Sequence, residues 1–378
     1  MSATLRARIV RIERLADRGV FRLRRRFGLF GPLHAYVYRG FGTTDDVWVT
    51  GRVLVDRGLE HATSEDSLWK NFRMSVKRFA SDEIPGVRVR LSFAGATDVV
   101  TTDDEGYFTC RLHPSAAVEP LSLWHEVQAE LLDPLRPDRD RIISQGEVQV
   151  PPSDCRVGII SDVDDTVIRT EATRVLTMLR LTLLHNAWGR VPFAGVSSFY
   201  RALQAGKSGA EQRPFFYVSS SPWNLYDLLV DIFDIQDMPR GTFFLRDLGF
   251  AETKKVGSKH ELHKLAQIER VMDTYPGMRF VLIGDSGQKD PEIYRRVVKD
   301  FPGRVATVYI RDVRPGIAGA RDDQVKAIAA ELERRGVPML LMPNTVEAAR
   351  HAASMGLIDP ARIAGIDVDR ARDEGRFE

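Results

Sequence analysis

The chain has 378 residues, of which 54 are lysine or arginine and 52 are aspartate or glutamate. This length allows two domains with buried cores, and the near balance of charge argues against a nucleic-acid-binding protein. With two cysteines, no apolar run of the roughly 18–20 residues that cross a bilayer and no secretory signal, we expect a soluble, cytoplasmic protein rather than a disulfide scaffold or an integral membrane protein.

The first 34 residues are predicted to form a basic amphipathic segment. Residues 1–26 contain nine arginines, against the two acids Glu13 and Asp17. Such a segment either contacts an anionic membrane surface or packs on its own domain with a solvated arginine face, and composition leaves both interpretations open. Apolar residues recur within it at helical spacing, at Leu5, Ile9, Ile12, Leu15 and Ala16.

Residues 35–150 are predicted to form a β-rich domain. The runs VWVTGRVLV and VRVRLSF are rich in β-branched residues and lie between turn signals, and TTDDEGYFTC is typical of a turn followed by a strand. No set of residues here suggests catalysis, and the pattern favours a sandwich-like β fold. The boundary is placed near Pro151–Pro152, after a segment rich in proline, aspartate and arginine.

Residues 151–378 have a different pattern, in which short apolar runs alternate with helical segments. This pattern predicts an α/β fold with a parallel sheet, and such sheets bind ligands beyond the carboxyl ends of their strands. The apolar runs are RVGIIS, FFYVSS, TFFLRD, RFVLIG, VATVYI and VPMLLM, and the predicted helices cover Asn224–Phe233, Lys264–Met272 and Asp322–Arg334.

Three of these runs end in residues that suit phosphoryl chemistry. Asp162 and Asp164 lie two apart after the first run, and Asp285 ends another, so oxygen ligands for Mg²⁺ are expected at one sheet edge. One aspartate can attack phosphorus, and a second can protonate the leaving oxygen and activate water. Ser219 and Lys264 can hold the phosphoryl oxygens. Each motif alone is also typical of a solvated turn or a surface helix, so the prediction depends on their order and shared position.

These motifs resemble the signatures of the haloacid dehalogenase superfamily. Asp162–Thr166 matches the DxDx[T/V] motif, Ser219 the second motif, Lys264 the third, and Gly284–Asp290 the fourth, GDxxxxD. The longer runs FYVSSSPWNLYDLL and LIGDSGQKDPEIY are similar, more narrowly, to the actin-patch phosphatidate phosphatases of fungi and their bacterial relatives, which are similar to lipins in chemistry.

The resemblance implies a Rossmann-like core that hydrolyses phosphatidate to diacylglycerol and phosphate, with Mg²⁺ and through an aspartyl-phosphate. It makes Asp162 the nucleophile and Asp164 the acid and base. The metal ligands implied are Asp162, the backbone carbonyl of Asp164, and Asp285, with Asp290 orienting that shell. Thr166, Ser220 and Ser221 are predicted as further substrate contacts.

The phosphate-binding lysine has alternatives in the sequence. Lys259 and Lys255 stand near Lys264, and the spacing to Asp285 together with the His263–Lys264 pair favours Lys264. The segment between the first two motifs is unusually apolar and could form a cap, a lid, a surface for acyl chains or a helix buried on the core. Its apolar residues include Val175, Leu176, Leu179, Leu181, Leu183 and Leu184.

Three hypotheses for function remain open at this stage. The leading one is a Mg²⁺-dependent phosphatidate phosphatase that makes peripheral contact with anionic membranes. The second retains the chemistry but uses a soluble phosphomonoester as substrate. The third is a non-catalytic membrane or scaffold module whose acidic site only binds a cation, and the Asp162 and Asp164 pair argues against it.

Overall fold

We describe the fold from a computed structural model. It describes residues 33–55, 84–118, 122–133, 141–163, 194–246, 256–312 and 320–375. Predictions on residues 1–32, on Asp164 and Thr166, on the apolar segment Val175–Leu184 and on Lys255 lie outside these residues. For Lys259 only the backbone is described.

The first half of the described chain is β-rich. Its strands alternate buried and more exposed residues, as in β4 and β6, because successive side chains of a strand point to opposite faces. The strands are β1 (Leu33–Val37), β2 (Gly40–Gly42), β3 (Val47–Val55), β4 (Arg88–Phe93), β5 (Ala96–Thr101), β6 (Tyr107–Leu112), β7 (Trp124–Leu131) and β8 (Ile143–Gln149).

Hydrogen bonds join these described strands into one eight-stranded sheet in the order β1-β3-β2-β8-β7-β4-β5, with β6 paired to β3. The pairing is antiparallel except between β2 and β8. The strands are linked continuously through β2, and the sandwich-like arrangement stays a prediction. Strands on both sides of β2 contribute to one buried core, which contains Val49 of β3 and Leu91 of β4.

The second half is an α/β fold with a parallel sheet, as predicted. Its described strands lie in the order β11-β10-β9-β12-β13-β14, and every neighbouring pair is parallel. They are β9 (Val157–Asp162), β10 (Phe215–Pro222), β11 (Thr242–Arg246), β12 (Arg279–Asp285), β13 (Val305–Arg311) and β14 (Met339–Met342). Most of their residues are buried, which explains why the sequence shows continuous apolar runs.

Helices cover both faces of the parallel sheet. They are α1 (Val196–Ala205), α2 (Tyr226–Ile235), α3 (Val256–Thr274), α4 (Asp290–Asp300), α5 (Ala320–Arg334), α6 (Thr345–Ser354) and α7 (Ile363–Gly375), with 3-10 turns at Trp223–Leu225 and Pro360–Arg362. Residues of α1, α2, α6 and α7 share one apolar cluster, and residues of α3, α4 and α5 share the other.

The two sheets contact each other along β10 and β11. Phe41 of β2 packs edge-on to Phe244, at 5.1 Å between ring centroids. The buried Gln149 side chain donates hydrogen bonds to the Phe215 carbonyl and to the Thr242 hydroxyl, each at 2.9 Å. The β-rich sheet is therefore joined directly to the edge of the parallel sheet that carries the serine motif.

Two structural observations concern the predictions about membrane spans and disulfides. None of the helices in the described part of the chain has the length and apolarity needed to cross a bilayer. Cys110 and Cys155 are both free thiols.

Candidate active site

The polar motifs lie at the switch point of the parallel sheet. From β9 the chain moves outward through β10 and β11, returns to β12 on the other side of β9, and continues through β13 and β14. A crevice at the carboxyl ends of β9 and β12 is the expected ligand site of such a sheet. Asp162 ends β9 and Asp285 ends β12, while Ser219 follows Val218, which pairs with Asp162.

Lys264 of α3 lies among the acids. Its Nζ is 2.6 Å from Asp162 Oδ1 and 3.3 Å from Asp290 Oδ1. It also donates a hydrogen bond of 3.0 Å to Gln288 Oε1. The side chains of Lys264 and Asp162 are each only 6% exposed, so this ion pair is largely withdrawn from solvent screening.

Asp290 begins α4 and fixes the end of β12. Its Oδ2 accepts a 3.0 Å hydrogen bond from the Asp285 backbone N–H, and it is 1% exposed. Gly284 makes this possible, because a Cβ there would lie 2.5 Å from Asp290 Oδ2. Pro291 in the first turn suits the start of the helix, and the carboxylate of Asp290 complements its N-terminal dipole.

Burial, and after it the neighbouring Asp290 carboxylate, raise the pKa of Asp285 to about 6. Two hydrogen bonds and Lys264 act in the opposite direction. The Gln288 backbone N–H donates to Asp285 Oδ1 at 2.8 Å, and this bond and the Lys264 charge both favour the ionised carboxylate. The balance shows that repulsion and desolvation outweigh the local stabilisation of charge at Asp285.

Three carboxylates of the site could share one cation. An oxygen from each of Asp162, Asp285 and Asp290 lies within 4.8 Å of the other two. Each comes from a different structural position: the end of β9, the end of β12 and the start of α4. The fold thus brings Asp162 close to Asp285 and Asp290, which lie far from it in the sequence.

The serine motif lies on the neighbouring strand end. Ser219 is fully buried, and its Oγ accepts a 3.0 Å hydrogen bond from the Ser221 backbone N–H. The pairing of β10 with β11 shifts register between Val218 and Pro222, so the serine run leaves the regular ladder. Ser220 and Ser221 are partly exposed at this edge.

The structure brings together Asp162, Asp285, Asp290 and Lys264 from the predicted set. Ser219, Ser220 and Ser221 follow the strand next to Asp162, whereas Asp164 and Thr166 lie outside the described residues. Their roles stay predictions. Sequence reasoning gave no role to Gln288, which contacts both Lys264 and Asp285, although it lies within the fourth motif.

This geometry defines an α/β protein with an acidic, lysine-containing site at the switch point of a parallel sheet. A family model described as "Phosphatidate phosphatase APP1, catalytic domain" matches residues 157–312, which contain β9 through β13. The chain resembles the fungal actin-patch phosphatidate phosphatases, as the sequence motifs predicted.

Two fungal proteins are similar to this chain. Phosphatidate phosphatase APP1 of Saccharomyces cerevisiae is 28% identical over 198 residues, which are 51% of this chain and 33% of the yeast protein. An uncharacterized protein of Schizosaccharomyces pombe is 27% identical over 252 residues, 66% of this chain and 39% of that protein. The matched region therefore spans only a third to two fifths of the length of these relatives.

Similarity to one solved structure is much weaker. A carbohydrate acetylesterase from Xanthomonas citri aligns with 76% of this chain and 70% of its own, at 11% identity and a TM-score of 0.23. A similarity of this size carries no argument about fold or function.

Proposed function

We propose that the chain is a Mg²⁺-dependent phosphatidate phosphatase of the haloacid dehalogenase type. The observation that carries the proposal is the buried contact between Lys264 and Asp162 beside two further carboxylates at the switch point of the sheet. A lone acidic cluster would suit simple cation binding. A lysine held against a strand-end aspartate also suits a site that must stabilise a phosphoryl group in transfer.

In the proposed reaction, a carboxylate oxygen of Asp162 attacks phosphorus as the bond from phosphorus to the glycerol oxygen breaks. The leaving oxygen takes a proton from Asp164. Water then attacks the aspartyl-phosphate after losing a proton to Asp164, which releases phosphate and restores Asp162. Lys264 and the hydroxyl of Ser219 would hold the equatorial oxygens and offset their charge.

The residues present fit a divalent cation. The three carboxylates and one lysine leave two formal negative charges in a buried space, which a divalent ion would neutralise. All the side-chain donors of the cluster are oxygens, the ligand type that Mg²⁺ prefers. Asp162 and Asp285 would hold the ion and Asp290 would orient Asp285, and the bound ion would supply stabilisation of negative charge on the phosphoryl oxygens.

The substrate is inferred from the fungal relatives. The yeast protein that resembles this chain is named a phosphatidate phosphatase, and the residues that the family model matches, 157–312, contain the candidate site. We therefore propose phosphatidate as substrate and a cytoplasmic location with peripheral contact to anionic membranes. We also propose that residues 35–150 and 151–378 are separate domains, with the site in the second.

Phosphate release should be measured from vesicles containing phosphatidate and from a panel of soluble phosphomonoesters, with Mg²⁺, with Ca²⁺ and after EDTA. We expect turnover on vesicles with Mg²⁺, poor support by Ca²⁺ because it favours looser coordination, and none after chelation. Turnover on soluble esters alone would support the second hypothesis. Metal-independent turnover would contradict the mechanism.

Asp162→Asn tests the nucleophile in the same assay. The amide keeps the shape of the side chain but removes its charge, and we expect turnover to fall by roughly 10⁴-fold or more. Asp154→Asn is a matched control, because Asp154 is an exposed acid in the turn before β9. Wild-type activity in pure, undeamidated Asp162→Asn protein would exclude Asp162 as nucleophile.

A further inference from the structure

The serine-bearing end of β10 depends on residues that follow it. Ser219, Ser220 and Ser221 lie where the pairing of β10 with β11 shifts register, so they do not continue the regular register of the preceding strand. The chain then turns through Trp223–Leu225 directly into α2. Asn224 lies three residues after Ser221, so contacts that hold Asn224 limit where the serine run can end.

Asn224 is held by the β-rich sheet. Its Oδ1 accepts a 2.9 Å hydrogen bond from Arg52 Nη1 and a 2.6 Å hydrogen bond from the Tyr107 hydroxyl. Arg52 of β3 and Tyr107 of β6 are direct partners in the antiparallel pairing of these strands. Both donors thus come from one rigid cross-strand pair and converge on a single acceptor.

Arg52 is itself fixed in place. It is 3% exposed, its Nε donates a 2.9 Å hydrogen bond to the Glu105 carbonyl, and its guanidinium lies 4.4 Å from the centroid of the Tyr107 ring. Burying a guanidinium is costly, and an apolar side chain of similar size would join the two sheets at lower cost. The donor fork of arginine offers directional hydrogen bonds that such a side chain cannot make.

A ring-stacking contact and a hydrogen bond also hold the turn and the start of α2. Trp223 stacks on Tyr38 with ring centroids 5.0 Å apart and planes 9° apart. The Tyr226 hydroxyl accepts a 2.8 Å hydrogen bond from the backbone N–H of Arg39. Trp223, Asn224 and Tyr226 are therefore held by β3, by β6 and by the connection between β1 and β2.

We propose that Arg52 and Tyr107 are positioning residues that hold Asn224, and through it the serine run, in the geometry required to bind the phosphoryl group. The inference rests on the proposed function, because it assigns phosphate binding to Ser219–Ser221. It gives the β-rich sheet a part in catalysis beyond its own fold. In this proposal Arg52 and Tyr107 act through Asn224 and not by contact with the substrate.

Tyr107→Phe and Asn224→Ala test the proposal. Each removes the 2.6 Å hydrogen bond, and Tyr107→Phe retains the ring beneath Arg52. We expect each to lower kcat/KM about tenfold, equally on vesicle phosphatidate and on a short-chain soluble phosphatidate, because small misplacements of binding groups slow reaction. The double variant should lose no more than Asn224→Ala alone, since both changes break one contact. The Kd of inorganic phosphate, measured by calorimetry with Mg²⁺, should rise in parallel.

Gln149→Met is the matched control. Gln149 also joins the two sheets through hydrogen bonds, but at Phe215, the opposite end of β10 from the serines. We expect it to lower the free energy of unfolding at least as much as Tyr107→Phe and to leave kcat/KM and phosphate binding within twofold of wild type. If Gln149→Met reduces both as strongly as Tyr107→Phe does, the network only joins the sheets and the proposal is wrong.

These experiments distinguish failure of the positioning role from failure of the proposed function. Should the wild type release no phosphate from any ester, the proposed function fails, and phosphate binding by calorimetry still tests the positioning role. Should the wild type be active while Tyr107→Phe keeps full kcat/KM and phosphate affinity, the positioning role fails alone. Tyr107→Phe deletes one hydroxyl, so it remains informative if Asn224→Ala does not fold.

Discussion

Lys264 is a buried lysine that contacts two of the three carboxylates of the site. Its side chain is 6% exposed and its Nζ lies close to both Asp162 and Asp290. In Lys264→Met, these carboxylates would be buried without its charge, and breaking a buried pair in this way costs roughly 3–5 kcal/mol. We expect a loss of about 3 kcal/mol in the free energy of unfolding of the metal-free protein and a fall of about 10²–10³ in kcat.

Urea unfolding and phosphate release measure these two effects. Lys299→Met is the control, because Lys299 lies exposed in the last turn of α4 and should change neither quantity appreciably. Activity of Lys264→Met within a few-fold of wild type would show that another lysine, with Lys259 the nearest alternative in sequence, binds the phosphoryl group.

Asp285 allows a test of the metal that does not depend on turnover. A ligand that binds only the folded state stabilises it by about 2.7 kcal/mol at one hundred times its Kd. We expect Mg²⁺ to raise the Tm of the wild type and to raise that of Asp285→Asn far less at the same concentration. Asp300→Asn, at the far end of α4, should respond as the wild type does. An equal rise in all three proteins would place Mg²⁺ binding elsewhere.

At the scale of elements, the sequence best predicted the strands that are buried on both faces of the sheet. Runs such as VATVYI and RFVLIG lie on β13 and β12 because strands covered on both faces need continuous apolar residues. The mostly exposed β5 lacks that signal, and α3 begins at Val256, well before the predicted Lys264. The start of a helix that lacks a capping motif is difficult to locate from the sequence.

The same reasoning explains which parts of the site could be predicted. Asp162 and Asp285 directly follow apolar runs, and parallel strands bring their carboxyl ends to one edge of the sheet. The convergence of these two acids could therefore be predicted from the sequence. The contact of Asn224 with Arg52 joins positions 172 residues apart on different sheets. No periodicity or local spacing contains that information.

The junction of β12 and α4 offers a prediction at this scale. A methyl group at Gly284 would lie 2.5 Å from Asp290 Oδ2 and 2.7 Å from its Cβ, so Gly284→Ala must displace the carboxylate that accepts from the Asp285 N–H. Overpacking of this kind typically costs about 1–3 kcal/mol. We expect that loss in urea unfolding, with a fall of at least tenfold in phosphatase activity because Asp285 loses its orientation.

Gly277→Ala is the control for this substitution. Gly277 lies in the turn before β12, and its nearest neighbour to an added Cβ is 3.8 Å away. It should be close to neutral in stability and activity. If Gly284→Ala behaves like Gly277→Ala, Asp290 does not need its present position.

At the scale of the whole molecule, the two sheets pack against each other in the described residues. Arg270 of α3 lies 5.2 Å from the Phe41 ring and 4.3 Å from the Trp48 ring of the β-rich sheet. Burial lowers the pKa of Arg270, although the Asp46 charge opposes that shift. Since α3 also carries Lys264, the β-rich sheet contacts two elements that supply site residues, β10 and α3.

The basic segment at residues 1–34 leads to a prediction about membrane docking. Phosphatidate is anionic and stays in the bilayer, so an enzyme that hydrolyses it must bind there. Each arginine near an anionic surface contributes about 1 kcal/mol, and salt screens it over about 8–10 Å. Several of the nine arginines in residues 1–26 acting together would suffice for reversible attachment.

Deletion of residues 1–30 should therefore weaken binding to anionic vesicles in flotation assays and lower activity on vesicle phosphatidate, while hydrolysis of a short-chain soluble phosphatidate changes little. Raising the salt concentration should reduce vesicle binding of the full chain and have less effect on the deletion, because screening acts on the arginines that the deletion removes. Equal loss on both substrates would mean that the segment supports the fold. Unchanged vesicle binding would assign docking to another surface, leaving the arginines as a solvated face.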